Sequence, residues 1–162
     1  MPYTPILATL AYLVDAERKR TLMVHRNKRA DDQQLGKYNG LGGKVEAGES
    51  VFAGLCREVR EEAAVEVVKA SLRGTISWPG FGKAGEDWFG FVFLVESFRG
   101  IPLAENAEGA LEWVAIDDLL KLPLWEGDHH FLPMVFGPHP GQFHGVMPYA
   151  GGKMVSWAYQ WA

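Results

Sequence analysis

Apolar residues fill most of positions 5–14, and their β-rich character predicts a strand. Asp15–Arg20 reads as a polar turn, and residues 21–25 as the strand returning from it. Residues 30–49 follow neither period and form a long glycine-containing loop, a kind of segment that tends to carry function in a compact domain. The period then changes to that of a helix. Phe52, Leu55, Cys56, Val59 and Ala63 share one face and are expected to meet a core, with Ser50 as N-cap. Strands are predicted over 65–77 and 88–96, separated by a loop that includes residues 78–83. A polar loop at 99–110 precedes a short strand at 111–116. Asp117 is placed to cap a short helix through about Lys121, ended by Pro123, and Trp125–Asp128 leads into another short helix toward Val135. Residues 142–147 and 154–160 are expected to pair as a hairpin across a Pro148–Lys153 turn. There is no internal repeat and no linker. The expectation is one α/β domain over residues 1–162, with a single mixed sheet and helices on both faces.

Composition narrows the class. With 162 residues the chain can bury a sizeable core, and no apolar run is long enough to cross a bilayer. The first residues lack the basic segment of a signal peptide. Cys56 is the only cysteine, so no intrachain disulfide is possible, and it is expected as a small buried apolar residue. A net charge of −4 gives no footprint for duplex nucleic acid. These features point to a soluble protein of a reducing, cytoplasmic compartment with no membrane partner. The oligomeric state is not encoded in any feature of the chain.

The polar face of the first helix carries the chemistry. Glu58, Glu61 and Glu62 fall within about 100° of one another around the helix axis. Three carboxylates so close repel one another, and a divalent cation converts that repulsion into binding. Hard oxygen ligands suit Mg²⁺ or Mn²⁺. Gly40, Gly42, Gly43 and Gly48 allow the preceding loop to bring its backbone close to a ligand. The run His25–Arg29 contains Arg26 and reads equally as a solvated loop or as an edge facing phosphate. The histidines lack zinc-site spacing and have no paired cysteines, so they are expected in loops and caps.

Gly43, Glu49, Arg57, Glu58, Val59, Glu61, Glu62 and Val65 together resemble the Nudix box, G-x5-E-x7-R-E-U-x-E-E-x-G-U with U apolar. Ala64 alone departs, standing where the pattern has glycine. The resemblance implies an α/β/α sandwich and a hydrolase. It implies that Glu49 and Arg57 pair to hold the loop on the helix. Glu58, Glu61 and Glu62 would bind metal or activate water, with Glu58 as general base and the Gly42 carbonyl as a further ligand. The stretches Lys37–Val45, Glu108–Val114 and Leu124–His129 are similar to MutT- and MutX-type members, which hydrolyse oxidised purine nucleoside triphosphates. By that similarity Asn39 and Asp128 would contact a purine base and Trp125 would stack on it. Glu108 would be a further metal ligand or catalytic acid, with Glu105 and Glu112 as neighbouring rivals. The implied reaction converts a nucleoside triphosphate, such as 8-oxo-dGTP, to monophosphate and pyrophosphate. The alternatives are ADP-ribose or another diphosphate derivative as substrate, or a nucleotide sensor without turnover.

Overall fold

The computed structural model describes residues 1–162. The elements in chain order are β1 (Ile6–Leu13), β2 (Arg20–His25), β3 (Tyr38–Asn39), β4 (Leu41–Lys44), α1 (Val51–Ala63), β5 (Glu66–Trp78), β6 (Trp88–Arg99) and β7 (Ala110–Ala115). After a 3-10 helix at Ile116–Lys121 come α2 (Asp128–Phe136), β8 (Phe143–Val146), β9 (Tyr149–Ala150), β10 (Lys153–Met154) and β11 (Ala158–Trp161).

The main sheet has six strands in the order β11-β8-β5-β6-β1-β4. It is mixed: β1 runs parallel to β6 and β5 parallel to β8, while the other neighbours are antiparallel. Side chains of β1 alternate between two cores. Ala11 and Leu13 join the cluster under α1 with Leu55, Val59 and Ala63. Tyr12 joins the cluster containing Phe131, Leu132 and Val135 of α2. Alternate strand residues point to opposite faces, so the two helices sandwich the sheet. This is the expected α/β/α arrangement.

The single sheet expected from the sequence is corrected. Residues 20–25 do form a strand, but it does not return along β1. It pairs with β3 and β7 in a separate three-stranded sheet, and is joined to the first strand's end by a Val14–Thr21 bridge and the bond from the Thr21 hydroxyl to Leu13 O. Both edges of β1 are already taken by β4 and β6, and Ala11–Val14 are all buried. Long-range pairing therefore overrides the local hairpin.

Three smaller expectations also change. Phe52 is 49% exposed, and Val51 packs on the α1 core instead. Cys56 is half-buried rather than sealed. Asp117 lies inside the first turn of the 3-10 helix and makes no capping bond. In the tail, β8 and β11 pair, with Val146 opposite Ala158. The chain between them forms its own two-stranded hairpin, β9-β10, turning at Gly151-Gly152, so the expected Pro148–Lys153 turn is narrower.

Arg73, on β5, ties the second half of the molecule down. Its guanidinium donates to the carbonyls of Met134 (3.1 Å), Val135 (3.1 Å), His139 (2.9 Å) and Gly141 (3.2 Å). It satisfies orphan carbonyls at the end of α2 and anchors the segment leading into β8. Replacing Arg73 with Met keeps the aliphatic stem and strands these carbonyls. Stability should fall by about 2–3 kcal/mol, read as a lower urea midpoint at unchanged slope. An unchanged midpoint would show the clamp to be dispensable.

Candidate active site

Helix α1 is fixed at both ends. Ser50 accepts the Ala53 amide at 3.0 Å as the N-cap. Ala64 ends the helix in the left-handed region at φ 59°, ψ 33°, and its N–H donates to Arg60 O. The glycine-to-alanine departure in the motif is thus a left-handed alanine, a conformation that costs about 1–2 kcal/mol for a residue with a Cβ.

Arg57 is the hub of the acidic face. It grips Glu49 with two bonds, Nε to Oε2 at 3.0 Å and Nη2 to Oε1 at 2.6 Å. The same Nη2 donates to the carbonyl of Lys44 at 3.0 Å, and Nη1 reaches Glu58 at 2.8 Å and Glu61 at 3.3 Å. The Arg57 bonds, helped by the Glu46 amide, hold the Glu49 carboxyl down to about 2. The pairing of Glu49 with Arg57 expected from the motif is therefore present, and it staples the loop to the helix.

Two glycines let β4 lie against this face. Gly42 has φ 151°, and a side chain there would collide with the Thr9 carbonyl. A Cβ on Gly43 would come within 2.5 Å of the Glu58 carboxyl carbon. Glu62 accepts the Gly42 amide at 3.2 Å. Burial outweighs the Gly42 bond and, with smaller additions from the charges of Glu58 and Glu108, pushes the Glu62 carboxyl up to about 8.

The remaining acids sort themselves by partner. Glu105 pairs with Lys28 at 2.8 Å. Glu112 is bound by His25 at 3.0 Å and by the Tyr38 hydroxyl at 3.1 Å. Glu108 is the one of the three close enough to act on Glu62, and Arg26 bridges it to Asp32. Arg26 is thereby engaged by two carboxylates, although it also borders the cleft described below. Glu61 is exposed. No three carboxylates or imidazoles converge on one point, because Arg57, Gly42 and Arg26 each hold part of the set. His139 stacks on Trp161 and His144 bonds Thr75, which removes both from any cluster.

A cleft of about 320 Å³ begins at Gly42 and Gly43 and runs between β1, β3 and α2. Asn39, Trp125, Asp128 and Arg26, all singled out from sequence, line it. Gln34, Phe81, Trp88 and Tyr149 line it too, and sequence reasoning missed them. Their loops and strands meet only in the tertiary fold, so no spacing rule joins them. Phe81 packs edge-on against Trp125 at 5.8 Å and Tyr149 at 5.0 Å, making an aromatic wall. Lys37 Nζ sits 4.5 Å from the Trp125 ring centre. Asp128 makes no capping bond; Gly127 is the N-cap. Though one edge of Asp128 is open to the cleft, its burial pushes the carboxyl up to about 7 against the pull of Lys37. The Thr9 hydroxyl and Trp88 indole N–H are buried in the same wall without a protein partner, unmet polar capacity of the kind found at functional sites. A larger open groove of about 920 Å³ along the Asp15–Arg20 turn contains none of these groups, so size alone does not locate the site.

The chain matches the NUDIX domain over residues 4–135. It is 34% identical over 112 residues to the uncharacterized Nudix hydrolase YvcI of Bacillus subtilis, covering 67% of this chain and 69% of that one. It is 28% identical over 153 residues to the oxidized purine nucleoside triphosphate hydrolase of Danio rerio, covering 94% and 92%. A mutator MutT protein from Bacillus halodurans has the same fold at a TM-score of 0.83 and 27% identity, with 96% and 97% of the chains covered. The chain belongs to the Nudix family and is a MutT-like hydrolase of it. No helix is long and apolar enough to cross a membrane.

Two outcomes follow from the helix and its acids. Ala64→Gly relieves left-handed strain, partly offset by a freer unfolded chain, and should raise stability by about 0.5–1 kcal/mol. A Tm at or below that of the parent would contradict the strain. In chelator, folded Glu62 keeps its proton up to about 8, whereas the unfolded chain releases it near 4.5. The folded state binds more protons across that window, so stability should fall as pH rises through it. Asp128 adds a slope of the same sign up to about 7. Glu62→Gln should flatten the decline in Tm between pH 5 and about pH 8, whereas an equally steep decline would show that Glu62 is not its source.

Proposed function

We propose that this protein is a divalent-metal-dependent nucleoside triphosphate pyrophosphohydrolase that prefers an oxidised purine such as 8-oxo-dGTP. One observation carries this: a single cleft joins an aromatic, amide- and carboxyl-bearing end to the two glycines beside the glutamate face. Its volume suits a small-molecule site. Trp125 offers a stacking surface, and Asn39 and Asp128 offer polar contacts to a base edge.

The donor set fits a hard cation, Mg²⁺ or Mn²⁺. Burial first, and then the like charges of Glu58 and Glu108, push the Glu62 carboxyl up to about 8, so a cation placed among these oxygens would meet a carboxylate that lacks a positive partner of its own. Glu58, Glu61, Glu62, Glu108 and the Gly42 carbonyl are the groups to hold the metal, after Arg57, Gly42 and Arg26 release the carboxylates they bind here. When bound, the cation neutralises the polyphosphate and polarises water. Arg57 and Glu49 keep the loop against the helix, so that phosphate and glutamates stay in register. Glu58, seated on Gly43, is the proposed general base. Water attacks phosphorus, the bridging P–O bond breaks, and monophosphate and pyrophosphate leave.

The test is a substrate panel of 8-oxo-dGTP, dGTP, dATP, dCTP and ADP-ribose, with metal removed by chelator and restored. Turnover should vanish in chelator and return with Mg²⁺ or Mn²⁺. The oxidised purine should give the highest kcat/KM. Glu58→Gln should lower kcat by about 10²–10⁴. Superior hydrolysis of ADP-ribose, or dCTP equal to the purines, would overturn the substrate assignment. Full turnover in metal-free chelator would overturn the metal role.

A further inference from the structure

On the function proposed above, the aromatic end of the cleft holds the purine, and its polar lining decides which purines fit. Asn39 does not face the cleft alone. Its Nδ2 donates to Gln34 Oε1 at 2.7 Å, and both side chains line the cavity. Gln34 lies on a loop tied down by its own contacts. Its amide donates to Asp32 Oδ1 at 2.9 Å, and Asp32 Oδ2 accepts from Arg26 Nε at 2.7 Å. Gly36 N–H donates to Arg26 O at 2.6 Å, and Arg26 N–H to Lys37 O at 2.9 Å. Gln34 is thus presented from a braced loop.

Two carboxamides joined by one hydrogen bond leave complementary groups behind. Asn39, the donor, keeps its carbonyl oxygen; Gln34, the acceptor, keeps its NH₂. If both amides are turned over, the roles exchange, and the pair still offers one donor and one acceptor. The pattern does not depend on which atom is assigned oxygen or nitrogen.

Guanine shows two acceptors, O6 and N7, along its major-groove edge. Oxidation at C8 to the 8-oxo form places a proton on N7, so the same edge becomes an acceptor beside a donor. A donor–acceptor pair matches the oxidised edge. Against unmodified guanine it sets an acceptor facing N7, leaving both lone pairs unmet.

We propose that Gln34 is a specificity-determining residue, which with Asn39 forms a donor–acceptor pair that accepts the O6/N7–H edge of an oxidised guanine and rejects the O6/N7 edge of guanine. An unmet polar group in a closed site discriminates more strongly than a missing methyl, so the preference should reach about tenfold or more.

Gln34→Glu keeps an acceptor for Asn39 and removes only the donor, and Gln34→Met removes both. The measurement is kcat/KM for 8-oxo-dGTP against dGTP in Mg²⁺. Alongside it, binding of 8-oxo-2′-deoxyguanosine against 2′-deoxyguanosine is followed by tryptophan fluorescence. The parent should favour the oxidised form by about tenfold or more, and both variants should fall to about threefold or less. The change should appear in KM and Kd rather than kcat. A parental ratio in either variant overturns the proposal. A parent that hydrolyses both triphosphates without base preference also overturns it, and leaves the hydrolase function standing. A parent that hydrolyses neither, yet loses its nucleoside preference in the variants, overturns the hydrolase function and supports Gln34.

Discussion

The guanidinium of Arg57 meets the loop, the strand and the helix together. It binds Glu49 from the loop, the Lys44 carbonyl at the end of β4, and Glu58 and Glu61 along α1. A planar group with five donors in a fixed fork can do this; a lysine ammonium cannot hold the same directions. The result is one rigid body in which two glycines lie flat against a glutamate face. Without that closure the glycines would be ordinary loop residues. The acids would be an ordinary solvated helix face.

The closure has an electrostatic cost, concentrated on Glu62. Its carboxyl is drawn under β4, away from water, with Glu58 and Glu108 nearby and only the Gly42 amide as a bonded partner. The site is therefore strained in charge at Glu62, beside the backbone strain at Ala64. Such a carboxyl holds a proton until a stronger positive charge replaces it. The same placement that destabilises the molecule at higher pH is one that the proposed cation would relieve.

Arg26 links this acidic end to the aromatic end of the cleft. Its guanidinium borders the cleft and pairs with both Asp32 and Glu108. Through Asp32 it braces the loop that carries Gln34, and through Glu108 it fixes an acid beside Glu62. The two ends of the cleft are in this way parts of one hydrogen-bonded frame. Arg73 does the corresponding work for α2, whose first residue, Asp128, reaches the cleft.

Helix α1 was legible from the chain alone because its information is local. The 3.6-residue period, the Ser50 cap, the Glu49–Arg57 offset and the three glutamates are all set by positions within about twenty residues of one another. Even the left-handed alanine at 64 was marked by the glycine it replaces. Phe52 shows the limit of periodicity, which gives a face but not where along the helix the core ends. The location of β2 in a second sheet, the placement of Glu108 rather than Glu105 or Glu112 near Glu62, and the aromatic wall beside Trp125 belong to the tertiary structure. Each depends on residues far apart in sequence, whose meeting is decided by which strand edges are already taken and which charges find partners. The sequence by itself determined the acidic helix, its glycine-containing loop and the chemistry their residues offer. Only the fold decided which side chains close around the aromatic end of the cleft, because packing between distant segments leaves no period and no fixed spacing in the chain.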